Sequence, residues 1–214
     1  MMHADRLLIV HGFGASPQDH WFPWLAALRP GAERLALPEP LSPRAEAWVP
    51  LVAAALDRLG DGTAVVAHSL GNAAALQALR ALADAGRPVR LRAFVGVAPF
   101  ISPVPATGDP QLDAFLGEGA SGAEEQEEWN APGAASRQAP QHAFYEGLDL
   151  QVLRPLLGSV HVLRSDDDPI VPPRLSDEVA AGLGVRAQVV TGAGHFLAED
   201  GVRELPEVLT ARAA

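Results

Sequence analysis

Six short apolar runs recur along the chain, mostly separated by longer Ala- and Leu-rich stretches, and this rhythm limits what the chain can fold into more than any single motif does. The runs cover residues 6–11, 34–37, 63–68, 91–98, 159–165 and 186–191. Near-continuous apolar strands, as opposed to alternating ones, are buried on both faces, which is the condition of a parallel sheet covered by helices. Residues 19–28, 43–59, 70–85, 173–183 and 202–212 read as the covering helices. Pro43 and Pro173 suit a first helical turn, where the missing N–H costs nothing, and Gly86 and Gly184 suit helix ends. The expected architecture is α/β, a three-layer αβα sandwich on a mostly parallel sheet of about six strands.

The rhythm lapses between residues 102 and 150. Gly and Pro punctuate this segment, and Glu124, Glu125, Glu127 and Glu128 cluster in its middle. Connections in compact domains usually run to a few residues, so a stretch this long reads as an insertion, a lid over an active site. Within it, residues 142–157 are expected to form one helix. The segment holds nine acidic residues and one base, Arg137, and so carries eight of the ten net negative charges. The remainder is nearly neutral, and the acidity belongs to the segment, where it raises the expectation of a basic protein partner. A chain of 214 residues buries a core unaided, and no low-complexity linker divides it, so residues 1–214 are expected to form one domain with 102–150 inside it.

Absences exclude much chemistry. No Cys is present, which removes thiol nucleophiles and Cys-based zinc sites, and all 16 basic residues are Arg, which removes a phosphate-loop lysine, a Schiff base and a Ser-Lys dyad. The acidic balance argues against nucleic acid as a partner. No apolar run reaches the ~18 residues of a membrane span, and the first ten residues lack a charged start followed by a long apolar stretch. The expectation is a cytoplasmic protein without membrane insertion.

The chemistry concentrates at three strand ends. Residues 63–68 run straight into Ser69, and a strong helix former begins at Leu70; with Gly71 two residues on, this is the strand, Ser, helix context of a nucleophile elbow, with Ala67 where a Gly is usual. The turn must be tight enough to strain the serine backbone and lift its hydroxyl above the sheet edge. The helix start beneath it offers the Leu70 N–H to an oxyanion. A serine hydroxyl is a weak nucleophile until a base takes its proton and an acid orients that base. Asp168, after the fifth strand and fixed by Pro169, is the expected acid, while Asp166 and Asp167 read as a solvated turn. His195, preceded by Gly192 and Gly194 after the sixth strand, is the expected base. After the first strand, His11-Gly12-Phe13-Gly14 allows the backbone N–H of Phe13 or Gly14 to turn toward the serine as a second oxyanion donor. His11 itself reads as structural, and the same turn lacks the spacing of a dinucleotide fingerprint.

With these residues in place the chain resembles the α/β-hydrolases, and more narrowly the small serine hydrolases related to retinoblastoma-binding protein nine and its bacterial relatives. The resemblance is carried by His11-Gly12-x-Gly14, Trp21-x-x-Trp24, Leu37-Pro38-Glu39-Pro40 with Trp48, Ala67-His68-Ser69-Leu70-Gly71, Ser165-x-x-Asp168-Pro169 and Gly194-His195-Phe196, which together span nearly the whole chain. It implies a compact α/β-hydrolase fold with its triad at Ser69, Asp168 and His195. Trp21, Trp24 and Trp48 read as core or pocket-wall packing, and His11, Trp21 and Trp24 are the candidate substrate-pocket residues. The activity implied is an esterase-like cleavage of acyl esters, thioesters or amides, on a small-molecule acyl substrate, with no metal and no cofactor. Two departures are Ala67 and the long acidic segment. The same scaffold also admits an interaction module with a vestigial or autoinhibited triad, or a lyase or haloperoxidase-like activity.

Overall fold

A computed structural model describes residues 6–117 and 140–210. Six strands, β1 (Leu7–Val10), β2 (Ala32–Leu35), β3 (Ala64–His68), β4 (Ala93–Val97), β5 (Ser159–Ser165) and β6 (Gln188–Val190), form one sheet in the order β2-β1-β3-β4-β5-β6. Every neighbouring pair is parallel. The central strands are buried at every position, as their unbroken apolar runs require. Alternate residues serve the two faces. Leu8, Val10, Val65, Ala67 and Phe94 pack with α2 (Ala45–Leu59) and α3 (Leu70–Asp84) around Trp48. On the opposite face, Leu7, Ile9, Val66 and Val95 pack against Phe22 and Leu25 of α1 (Phe22–Ala27) and Phe196.

Strand β1 sits between β2 and β3, so the chain leaves it in one direction and returns on its other side. That reversal falls at the carboxyl ends of β1 and β3, the place where open parallel sheets hold their ligands. The two loops leading from those ends begin at His11 and Ser69.

Several expected boundaries move, each for a local reason. The second strand lies at Ala32–Leu35, not 34–37, because Leu37 has left the sheet edge and its N–H donates to His11 Nε2 at 3.2 Å. The first helix starts at Phe22 instead of Asp19, since His20 takes φ 53°, a left-handed backbone that a right-handed helix does not admit. Pro43 falls before its helix, because Arg44 is still extended, whereas Pro173 opens α6 (Pro173–Gly182) as expected. The single helix expected over 142–157 is broken into a 3₁₀ turn (Pro140–Phe144), a short α5 (Leu150–Leu153) and a second 3₁₀ turn at Arg154–Leu156. Asp149 starts α5 afresh by accepting from the N–H of Gln151 and Val152, and Pro155 then changes the winding. The last helix, α7 (Glu207–Thr210), begins only at Glu207, because Pro206 pushes the residue before it out of helical conformation.

In the acidic segment, α4 (Pro110–Leu116) is capped by Asp109, which accepts from the N–H of Gln111 and Leu112. Its Phe115 and Leu116 join the core beside Phe144. Phe115 also meets Phe13, ring centroids 5.3 Å apart, which ties this segment to the loop after β1. The Glu124–Glu128 cluster lies outside the described residues.

Candidate active site

Ser69 directly follows β3 and caps α3 in a backbone conformation of φ 52°, ψ −127°. That region is strained for a residue with a Cβ and persists only where the surroundings impose it. Three features do so. Ser69 N–H donates to Val97 O at 2.9 Å. Asn72, fully buried, donates from Nδ2 to both Ser69 O (2.9 Å) and Val97 O (3.1 Å). Gly71 lies so near β1 that a Cβ there would stand 2.5 Å from His11 O and 2.7 Å from Val10 O, so only glycine lets the helix start beneath the strand.

The hydroxyl so presented lies 3.0 Å from His195 Nε2, and His195 Nδ1 lies 2.8 Å from Asp168 Oδ2. A carboxylate only accepts, so Nδ1 holds the ring proton and Nε2 is left free to accept from the serine O–H. Asp168 is itself fixed, because its other oxygen accepts from the N–H of Ile170 and Val171, both at 2.9 Å. The structure thus joins Ser69, His195 and Asp168 in one chain of hydrogen bonds. Ser69 and His195 are 6% and 4% exposed, so this chain runs in a poorly solvated setting where charge interactions are strong.

The loop that carries His195 is held along its whole length. Gly192 N–H donates to Asp166 Oδ1 (2.8 Å), Ala193 N–H to Ser165 Oγ (3.1 Å) and Gly194 N–H to Asp167 Oδ1 (2.9 Å). Asp200 Oδ2 accepts from the N–H of His195 (2.8 Å) and Leu197 (3.0 Å), and His20 Nδ1 accepts from Ala198 N–H at 3.1 Å. The expectation that Asp166 and Asp167 form only a solvated turn is therefore corrected: each braces the histidine loop. Hydrogen bonds from Ser165 Oγ and then from Gly194 N–H hold the Asp167 carboxyl below its ordinary 3.8.

On the other side of the serine, the first turn of the β1 loop comes close enough that a Cβ on Gly12 would stand 2.8 Å from Ser69 Cβ. Of the two expected donors there, Gly14 N–H is spent on Pro40 O at 2.8 Å, which favours Phe13. Leu70 occupies the first turn of α3, where helix N–H groups have no partner within the helix.

Of the candidate pocket residues, His11 and Trp21 are buried and Trp24 is half-buried, which fits the core reading of the tryptophans. His11 is buried, its Nε2 accepts from Leu37 N–H, and its Nδ1 lies 2.9 Å from Gly12 O, so it braces the loop as the structural reading requires. Trp21 is fully enclosed in the core on the α1 face, and Trp24 is half-buried against the same cluster. Their aromatic area is spent on packing, which the sequence spacing alone does not separate from a pocket lining.

The sequence reading gave no site role to Asn72, His20, Ser165 or Asp200, each of which braces the serine or the histidine loop. A polar Asn in an otherwise Ala- and Leu-rich helix, three residues after Ser69, was the available signal for Asn72. Among the described residues, no group of three or more His, Cys, Asp or Glu is placed to hold a metal ion, and no helix is long and apolar enough to cross a membrane.

A parallel sheet with an Ser-bearing elbow after β3, an acid after β5 and a histidine after β6 is the arrangement of the α/β-hydrolase fold. The sequence profile of the serine hydrolase family matches residues 7–212, and the chain belongs to that family. YdeN of Bacillus subtilis (strain 168) is 30% identical over 213 residues, covering 96% of this chain and 93% of that protein. The crystal structure of the ydeN gene product matches with a TM-score of 0.71 at 28% identity over 97% of each chain. The naproxen esterase (carboxylesterase NP) of Bacillus subtilis shares the fold, with a TM-score of 0.57 at 18% identity over 100% of this chain and 83% of that one.

Proposed function

We propose that this hydrolase is an esterase-like acyl hydrolase in which Ser69 is the nucleophile, His195 the base and Asp168 the orienting acid. The observation that carries the reading is the continuous hydrogen-bonded path from Ser69 Oγ through both nitrogens of His195 to Asp168. In this scheme Ser69 Oγ attacks the acyl carbonyl carbon while its proton passes to His195 Nε2. The carbonyl oxygen becomes an oxyanion, which the N–H groups of Leu70 and Phe13 stabilise, each donor contributing about 10²- to 10³-fold in rate in comparable sites. Collapse of this intermediate breaks the bond to the leaving group, which takes the proton back from His195. Water then attacks the acyl-enzyme, again giving its proton to His195, and the acid product departs with Ser69 restored. Asp168 keeps Nδ1 protonated throughout and offsets the positive charge on the ring.

An activated serine reacts with a fluorophosphonate probe. Labelling of the wild type, lost in Ser69→Ala and His195→Ala, together with turnover of short-chain p-nitrophenyl esters, is the expected result. An unlabelled, folded wild type would refute the reading and leave the scaffold as an interaction module.

A further inference from the structure

The residue before the nucleophile points its ring to the opposite face of the sheet from Ala67. His68 is enclosed by Trp21 (ring centroids 6.2 Å apart), Phe22 (5.9 Å), His20 (5.8 Å) and His195 (4.9 Å). Its Nε2 lies 2.9 Å from the backbone carbonyl oxygen of His195, 127 residues away in sequence. A carbonyl only accepts, so Nε2 carries the proton and donates, and Nδ1 is the bare nitrogen, without a partner among the described residues. Burial first, and then the neighbouring imidazoles of His195 and His20, push the His68 pKa well below 6.5, so the ring is neutral.

The bond falls where the backbone needs it. Gly194 and Phe196, on either side of His195, have φ of 53° and 62°. A left-handed Phe is strained, and such a loop holds its shape only through bonds to its surroundings. Beyond its ring Nε2 contact with Ser69 Oγ, His195 has three: N–H to Asp200, ring Nδ1 to Asp168, and C=O from His68. Only the last comes from the strand that presents Ser69, one residue from the nucleophile.

We propose that His68 is a positioning residue: its Nε2–H holds the His195 carbonyl, and thereby fixes the imidazole between Asp168 and Ser69 Oγ. The proposal rests on the reading of Ser69 and His195 as nucleophile and base. His68 touches no reacting atom. A base displaced by even 1 Å costs about 100-fold in rate, so a single anchoring bond of this kind is felt in turnover.

His68→Gln and His68→Met test it, because the two side chains are nearly equal in size and only Gln places an N–H donor where Nε2 stands. With p-nitrophenyl esters, His68→Met is expected to lower kcat by about 10- to 100-fold with KM within about twofold, while His68→Gln recovers most of that loss. In parallel, the low-field proton resonance of His195 Nδ1–H, identified by its loss in His195→Ala, is expected to persist in His68→Gln and to broaden or vanish in His68→Met. Equal kcat and equal spectra in the two variants would overturn the proposal, as would failure of both to fold, since each outcome assigns His68 to packing alone. If the wild type turns over no ester, the resonance still decides whether His68 holds His195, so the two readings fail separately.

Discussion

Acidification from pH 7.5 to 5.5 should destabilise this fold by about 1.4 kcal/mol for each buried histidine that stays neutral, and the structure says which groups are responsible. His11, His20 and His68 are all pushed below the ordinary value of 6.5, in each case chiefly by burial. Their bonding explains why protonation is resisted. His11 Nε2 and His20 Nδ1 each accept from a backbone N–H, and a proton on either nitrogen would face a donor. His68 Nδ1 lies among aromatic rings without a hydrogen-bond partner among the described residues. In the unfolded chain all three take up a proton near 6.5. The folded pKa of a base is depressed here, so the unfolded state binds more protons below 6.5: stability is complete above that value and falls as the pH drops toward the folded values. A histidine that stays neutral in the fold costs about 1.4 kcal/mol over these two pH units, since half of the window lies above the unfolded pKa. His68, the most enclosed of the three, is expected to supply that amount, and His11 and His20, whose rings lie near carboxylates that favour the proton, add less. Urea unfolding followed by the fluorescence of buried Trp21 and Trp48, at pH 7.5, 6.5 and 5.5, measures it. His68→Gln should remove about 1.4 kcal/mol of the acid sensitivity. A free energy of unfolding that is flat or rising on acidification would refute the assignment of these rings as buried and neutral.

Further outcomes follow from the same geometry. Gly12→Ala places a Cβ 2.8 Å from Ser69 Cβ and 3.1 Å from His68 O, and is expected to lower kcat/KM at least about 100-fold while the protein still folds, as circular dichroism and ester assays would show. Gly71→Ala meets two backbone carbonyl oxygens, which cannot swing aside as side chains do; a loss of about 3 kcal/mol in urea unfolding is expected, and a loss under 1 would contradict the close approach of α3 to β1. Asp168→Asn should reduce ester turnover by about 10³- to 10⁴-fold, because the amide favours the wrong imidazole tautomer. Asp167→Asn keeps an acceptor for Gly194 N–H and should cost less than about tenfold; the reverse ranking of the two variants would move the orienting role to Asp167.

The sheet was legible in the sequence because burial on both faces writes each central strand as an unbroken apolar run. β3 and β5 are found within a residue of where the runs place them, whereas the edge strand β2 slips by two because Leu37 finds its partner in an imidazole instead of a strand. Ser69, Asp168 and His195 were legible for a related reason: a parallel sheet brings its strand ends to one edge, so chain order and strand position together imply proximity. What escaped the sequence are pairings with no fixed spacing. Asp200 to His195, His20 to Ala198 and His68 to His195 depend on how loops fold back, and periodicity carries no information about that. The left-handed backbone of His20 escaped for the same reason, and it shortened the first helix.

Ala67 shows how the requirement for small residues at an elbow is shared between elements. In the sheet it stands opposite Val10 and Gly96, with its methyl on the α2–α3 face, and there it fits among core residues at no exposure. The close approaches that the elbow demands fall elsewhere: on Gly71, against the carbonyls of β1, on Gly12, against Ser69 itself, and on Gly96, where a Cβ would stand 2.8 Å from Asn72 Oδ1. Asn72 in turn is the side chain that ties Ser69 O to Val97 O. Strain at Ser69 is therefore maintained by a glycine on each of three neighbouring segments and by one buried amide. A methyl at position 67 changes none of these contacts, which is why the departure from Gly leaves the serine in position to meet His195.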